Sequence, residues 1–170
     1  MLGAWTEQDT GYRILLILHI LSVVVGIGAV MLNGLYAAQS RQRPGPPGRA
    51  VSEANFTVSK IAEYVIYTVP IFGLLLVVAN DAWDFDQTWV WLSIVLFAIA
   101  LGISHAVLIP GHRKINQLLA EMEQGPPPAG SPPPQAAELE KLGKAQAAAG
   151  MTLNLLVVVF LYLMIFKPGL

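Results

Sequence analysis

With 170 residues, 55% of them apolar and only 12% charged, the chain carries about half the charge of a soluble domain, for which roughly 25% is usual. A net charge of -1 leaves no basic footprint for nucleic acid, and the absence of cysteine removes disulfides, thiolate nucleophiles and thiolate metal sites together. The length suits one compact domain, and the lipid bilayer is the partner the composition implies.

Residues 1–12 are polar and slightly acidic, whereas a secretory leader would open positive and carry a shorter apolar core. Arg13 alone precedes an apolar run over about 14–38, predicted as a first, uncleaved membrane helix. Along it His19, Ser22, Gly26, Ala29 and Asn33 recur at three- and four-residue spacing, so they share one helix face. Small and polar residues on one face of a membrane helix mark contact with another helix.

Three Arg, three Pro and two Gly fall within 39–50, which breaks the helix. The segment 39–60 is read as a loop that re-enters helix near Ser52, and a second span is expected over about 61–78. Glu63, Tyr67, Pro70 and Gly73 fall on one face of that span, and Pro70 should kink it. A short acidic turn with Asp81, Asp84 and Asp86 leads to the third span, about 90–110. That span has no Asp, Glu, Lys or Arg from Val90 to Pro110, opens on Trp89 and Trp91, and closes on His112, Arg113 and Lys114. His105 is its one ionisable residue. Beyond it, 113–124 has amphipathic helical spacing, suited to the interface. The 125–134 stretch, GPPPAGSPPP, reads as a semi-rigid polyproline linker within a second long loop, 111–144. Helix resumes at Ala136, and a fourth span is expected over about 145–166.

The predicted fold is therefore an all-α membrane protein of four transmembrane helices in an up-down bundle. Of the ten basic residues, Arg41, Arg43, Arg49 and Lys60 lie between the first two spans and Arg113, Lys114, Lys141 and Lys144 between the last two. The positive-inside rule then puts both long loops in the cytoplasm and both termini outside.

His19, Glu63 and His105 are the candidates for chemistry, because an ionisable group within a span is expensive to bury unpaired. His19 stands seven residues past Tyr12 and His105 sixteen past Trp89, counted from the same boundary. That gap is ~13 Å of helix rise, so the two do not suit opposite faces of one haem iron. Asn33, Glu63, Tyr67 and His105 instead reach one depth near the basic end and are expected to form an inner polar layer. No zinc-type spacing is present, and no metal site is expected.

The first span, YRILLILHILSVVVGIGAVMLNGLY, carries a His early in the membrane followed by a glycine-rich half, and the third ends ISHAVLIPGHRKINQLL. With four spans and basic loops after the first and third, the chain resembles a bacterial integral membrane family known as domain of unknown function 2269. That resemblance implies a multi-pass protein of the bacterial cytoplasmic membrane and no particular reaction. More distantly the first span resembles the copper-resistance D type and the haem-binding J-type protoporphyrinogen oxidase. The latter likeness implies His19 as a haem ligand, but it also asks for a Lys in a later span. This chain has only Lys60 at a boundary and Lys167 at its end.

Three functional classes follow. The sequence favours a structural or accessory membrane component without its own catalysis, working with other membrane subunits or with copies of itself. The alternative is a haem- or quinone-linked redox protein that uses His19, His105 or both. A small transporter or ion pathway acting as an oligomer is the third.

Overall fold

In the computed structural model, which describes residues 5–125 and 135–169, the chain is all helix. Helix α1 covers Thr10–Arg41, α2 Pro46–Ala79, α3 Thr88–Ile103, α4 Ile109–Gln124 and α5 Gln135–Phe166. A π-helical turn, Ser104–Leu108, joins α3 to α4 without a break. Four rods result, of 32, 34, 35 and 32 residues, each long and apolar enough to cross a membrane. At 1.5 Å per residue they reach ~48 Å or more, so each overruns a ~30 Å hydrocarbon layer into the headgroups.

Their most apolar windows are only 6–22% buried within the protein. Ile17, Leu35, Leu155 and Ile165 are all exposed. Such surfaces suit lipid as solvent, since the backbone groups in the middle of a helix are already bonded within it.

The α1–α2 pair is the most extensive contact. It is built on the small and polar stripe of α1. His19 bonds the Val69 carbonyl, Ser22 Oγ lies 2.8 Å from Thr68 Oγ1, and Ser59 Oγ donates to Asn33 Oδ1 at 3.0 Å. At Gly26 an added Cβ would stand 2.7 Å from Ile66 Cγ1, so the missing side chain lets the helices close. Partner numbers fall as the α1 numbers rise, so the pair is antiparallel.

The turn between these helices is shorter than the expected 39–60 loop. Only 42–45 lies outside helix. Pro46 and Pro47 sit in the first turn of α2, where a missing N–H costs nothing because those amides have no intrahelical acceptor. Gly45 adopts φ 75°, and a Cβ on Gly48 would fall 1.9 Å from the Arg43 carbonyl oxygen. The residues that look like helix breakers are thus a tight turn and a helix start. Likewise α4 continues the third rod through Pro110. The π turn changes the hydrogen-bond register and leaves a place for a residue with no N–H. Pro-rich 126–134 lies outside the described residues.

Two apolar clusters hold α3 and α5. Val77, Trp89, Val90 and Leu163 pack at one end; Leu108, Ala149 and Leu153 pack toward the other. The first end also carries the chain's start, because the Trp5 amide donates to the Ala79 carbonyl at 2.8 Å. Asp9, before α1, accepts from the Thr6 amide at 2.6 Å and its hydroxyl at 2.9 Å, and these bonds hold its carboxyl below the usual aspartate range. We call this the tryptophan end. The end with the 42–45 turn is the basic end; there Ser52 on α2 donates to Asn116 on α4 at 2.6 Å.

Candidate functional site

At the basic end, three side chains meet. Glu63 and Tyr67 stand one turn apart on α2, and His105 sits in the π turn. Tyr67 Oη is 2.6 Å from Glu63 Oε1 and 2.8 Å from His105 Nε2, and Nε2 is 3.1 Å from Glu63 Oε1. The other ring nitrogen, Nδ1, donates to the Leu101 carbonyl at 2.9 Å. That bond fixes the tautomer of the neutral ring and leaves Nε2 as an acceptor. Tyr67 has one proton and two acceptors before it. The third contact of the triangle, Glu63 with Nε2, is favourable only with a second proton between them. The cluster is therefore a place where a proton can be held within a membrane span.

Asn33 is not in this triangle. It accepts from Ser59, and both line a cavity of about 100 Å³ with Glu63 and His105. His112, which the sequence reading passes over, lines it too. Its Nδ1 donates to the Leu108 carbonyl at 3.0 Å, and its ring stands 6.3 Å from that of Phe56. The signal was available: His112 follows His105 by seven residues, two helical turns.

Toward the tryptophan end lies a larger cleft, about 740 Å³, between the α1–α2 pair and α3 and α5. Its walls are mostly apolar. His19 lines it. The ring donates from Nδ1 to the Val69 carbonyl at 3.0 Å, and it lies over Gly73, where a Cβ would come 3.1 Å from Cε1. Nε2 bonds to nothing among the described residues. Met164 lines the same cleft. Tyr162 stacks instead on Phe166, at a centroid distance of 4.9 Å.

The mouth is aromatic and charged. Tyr12 and Trp83 meet edge to face at 5.6 Å, and Trp83 and Trp89 at 5.3 Å. Lys167 Nζ lies 4.0 Å from the Trp83 ring centre, 5.6 Å from that of Trp89 and 3.9 Å from Glu7 Oε1. The two cavities share Ile27, Phe97, Val157 and Phe160 as lining, with the two Phe rings edge to face at 6.4 Å. His19 and His105 thus open on different cavities, across an apolar layer. Among the described residues no group of three or more His, Asp or Glu could hold a metal ion.

Over residues 13–168 the chain matches DUF2269, described as predicted integral membrane protein, and it belongs to that family. No curated protein and no solved structure matches it.

Proposed function

For a multi-pass member of this family, we propose an accessory role in the bacterial cytoplasmic membrane, exercised by binding rather than catalysis, with both termini outside and both basic segments in the cytoplasm. The working part is the cleft at the tryptophan end, which takes a lipophilic molecule. One observation carries this reading. The His19 ring is fixed on Val69 through Nδ1 while Nε2 is left open, beside an apolar cleft of about 740 Å³. Ligand sites are typically clefts of ~300–1,000 Å³ with apolar walls and few polar anchors.

The test is purification in mild detergent, followed by mass spectrometry of the small molecules that stay bound. Val23→Phe, which fills the cleft from α1, should release them. An unchanged set of bound molecules in Val23→Phe would overturn the reading.

A second reading, haem binding, draws on the same histidine. An imidazole whose Nδ1–H is held by a carbonyl and whose Nε2 is open is in the form that ligates iron. The residues fit one such ligand, and Met164 offers a sulfur on the same cleft. Haem bound there would supply one-electron chemistry; the chain's part is to orient Nε2 and exclude water. Visible absorption of the purified protein tests it. A Soret band lost in His19→Ala but retained in His105→Ala supports the reading, and no band in the wild type overturns it.

A further inference from the structure

The tryptophan end holds two basic residues, Arg13 near Asp9 and Lys167 near Glu7. Eight of the ten Lys and Arg lie in the two segments at the basic end. The other two, Arg13 and Lys167, are 154 residues apart in sequence, yet both line the mouth of one cleft. A cation in the first turn of α1 opposes the helix dipole, and Arg13 offsets this only through the charge of Asp9 one turn before it. Its Nε donates to the Glu7 carbonyl at 3.3 Å, and its two terminal nitrogens bond to nothing among the described residues. Lys167 is held in place by backbone at φ 42°, a conformation that disfavours any residue with a side chain. Its amide donates to the Leu163 carbonyl at 3.0 Å, and its Nζ stands over Trp83. Of the carboxylates at this end only Glu7 lines the cleft with the two cations; Asp9, whose charge Arg13 also feels, and the acidic turn 81–86 lie outside the lining.

Resting on the reading of this cleft as a ligand site, we propose that its ligand is a lipophilic carboxylate: an apolar body in the cleft and a carboxylate head between Arg13 and Lys167. Arg offers a planar fork that matches a carboxylate, and Lys a movable point charge. The size favours one drug-sized body over a two-chained phospholipid, since such clefts run to ~1,000 Å³ at most.

The experiment reads Trp83 and Trp89 fluorescence in the full-length protein in detergent, with Trp5→Phe and Trp91→Phe in place. The probes are a bromine-labelled long-chain fatty acid, the matching brominated alcohol and a brominated anionic phospholipid. The acid should quench at lower concentration than the alcohol or the phospholipid. Arg13→Gln with Lys167→Gln should weaken the acid by about ten-fold, the scale of losing a charge-assisted hydrogen bond, and leave the alcohol within about two-fold. Arg13→Lys with Lys167→Arg keeps both charges and should restore most of the preference. Acid and alcohol quenching alike, or the phospholipid ahead of both, would overturn the carboxylate while the cleft reading stands. Quenching by all three that Val23→Phe leaves unchanged would mean no ligand enters the cleft, and both ideas fall.

Discussion

The imidazole of His19 occupies the space where a side chain of Gly73 would be. A Cβ on Gly73 would stand 3.1 Å from Cε1 and 3.4 Å from Nδ1 of that ring. The glycine and the histidine thus form one device: the missing side chain seats the ring, and the seated ring reaches the Val69 carbonyl at 3.0 Å.

Gly73→Ala should be tolerated with a small loss, because the ring can give by a few tenths of an ångström. Gly73→Val should not be. It adds bulk to a close helix contact, which costs about 1–3 kcal/mol, and it breaks the bond to Val69, worth ~1 kcal/mol. Denaturation in mixed detergent micelles measures both. Equal midpoints for Val and Ala would mean that the ring is not confined by α2.

The Glu63–Tyr67–His105 cluster gives the second prediction. Glu63→Gln and His105→Ala should each destabilise the solubilised protein by about 1–3 kcal/mol, because each leaves a partner short of a bond. The double variant should lose less than the sum, with a coupling of at least ~0.5 kcal/mol. Tyr67→Phe should lower that coupling, since the hydroxyl bridges the two. Strictly additive losses would dissolve the cluster into three separate residues.

The stripe from His19 to Asn33 is readable in the sequence because a period of three to four residues is a helix face, and a membrane helix with small and polar residues on one face must put them against a neighbour. Residue counts from a common boundary bring Glu63 and His105 to one level, and the side chains stand 3.1 Å apart. Asn33 reaches that level too, but depth says nothing about direction, and its partner is Ser59. Helix resumes at Pro46 rather than near Ser52, a difference the sequence does not reveal because Pro and Gly look alike whether they fill a loop or start a helix. The π turn leaves no sequence trace, since one extra residue in a turn does not change composition. The cleft is invisible for another reason: it lies between helix pairs, where the packing is loosest, and no local pattern encodes a gap.

That turn supports a third prediction. Gln146 on α5 donates through Nε2 to the carbonyls of Val107 at 2.8 Å and Leu108 at 3.3 Å, where the register changes. A Cβ on Gly111 would stand 1.9 Å from that nitrogen, so Gly111→Ala must push the amide away. Gly111→Ala and Gln146→Leu should therefore cost similar amounts, about 1–3 kcal/mol each, and the double variant little more than either. The detergent unfolding midpoint is again the measurement. Independent losses would show that Gln146 is not what Gly111 makes room for.

The last prediction concerns the direction of insertion, on which the placing of the cleft in the outer leaflet depends. Arg41, Arg43, Arg49, Lys60, Arg113, Lys114, Lys141 and Lys144 all belong to the two segments at the basic end. Basic residues close to span ends are retained on the cytoplasmic side, and acidic residues count for little. The acidic turn with Asp81, Asp84 and Asp86 therefore carries no weight, and the bias is eight against two. The chain has no cysteine, so single cysteines can be read on a clean background. Cysteines placed within 126–134 should be shielded from an impermeant thiol reagent in intact cells and labelled once the membrane is opened. A cysteine at Gly169 should be labelled in both. The Arg13 and Lys167 pair makes the test informative beyond topology, because neutralising basic residues at the basic end should weaken the orientation, while neutralising these two should strengthen it. Labelling of the 126–134 cysteines in intact cells would invert the protein and put His19, its cleft and both mouth cations on the cytoplasmic side.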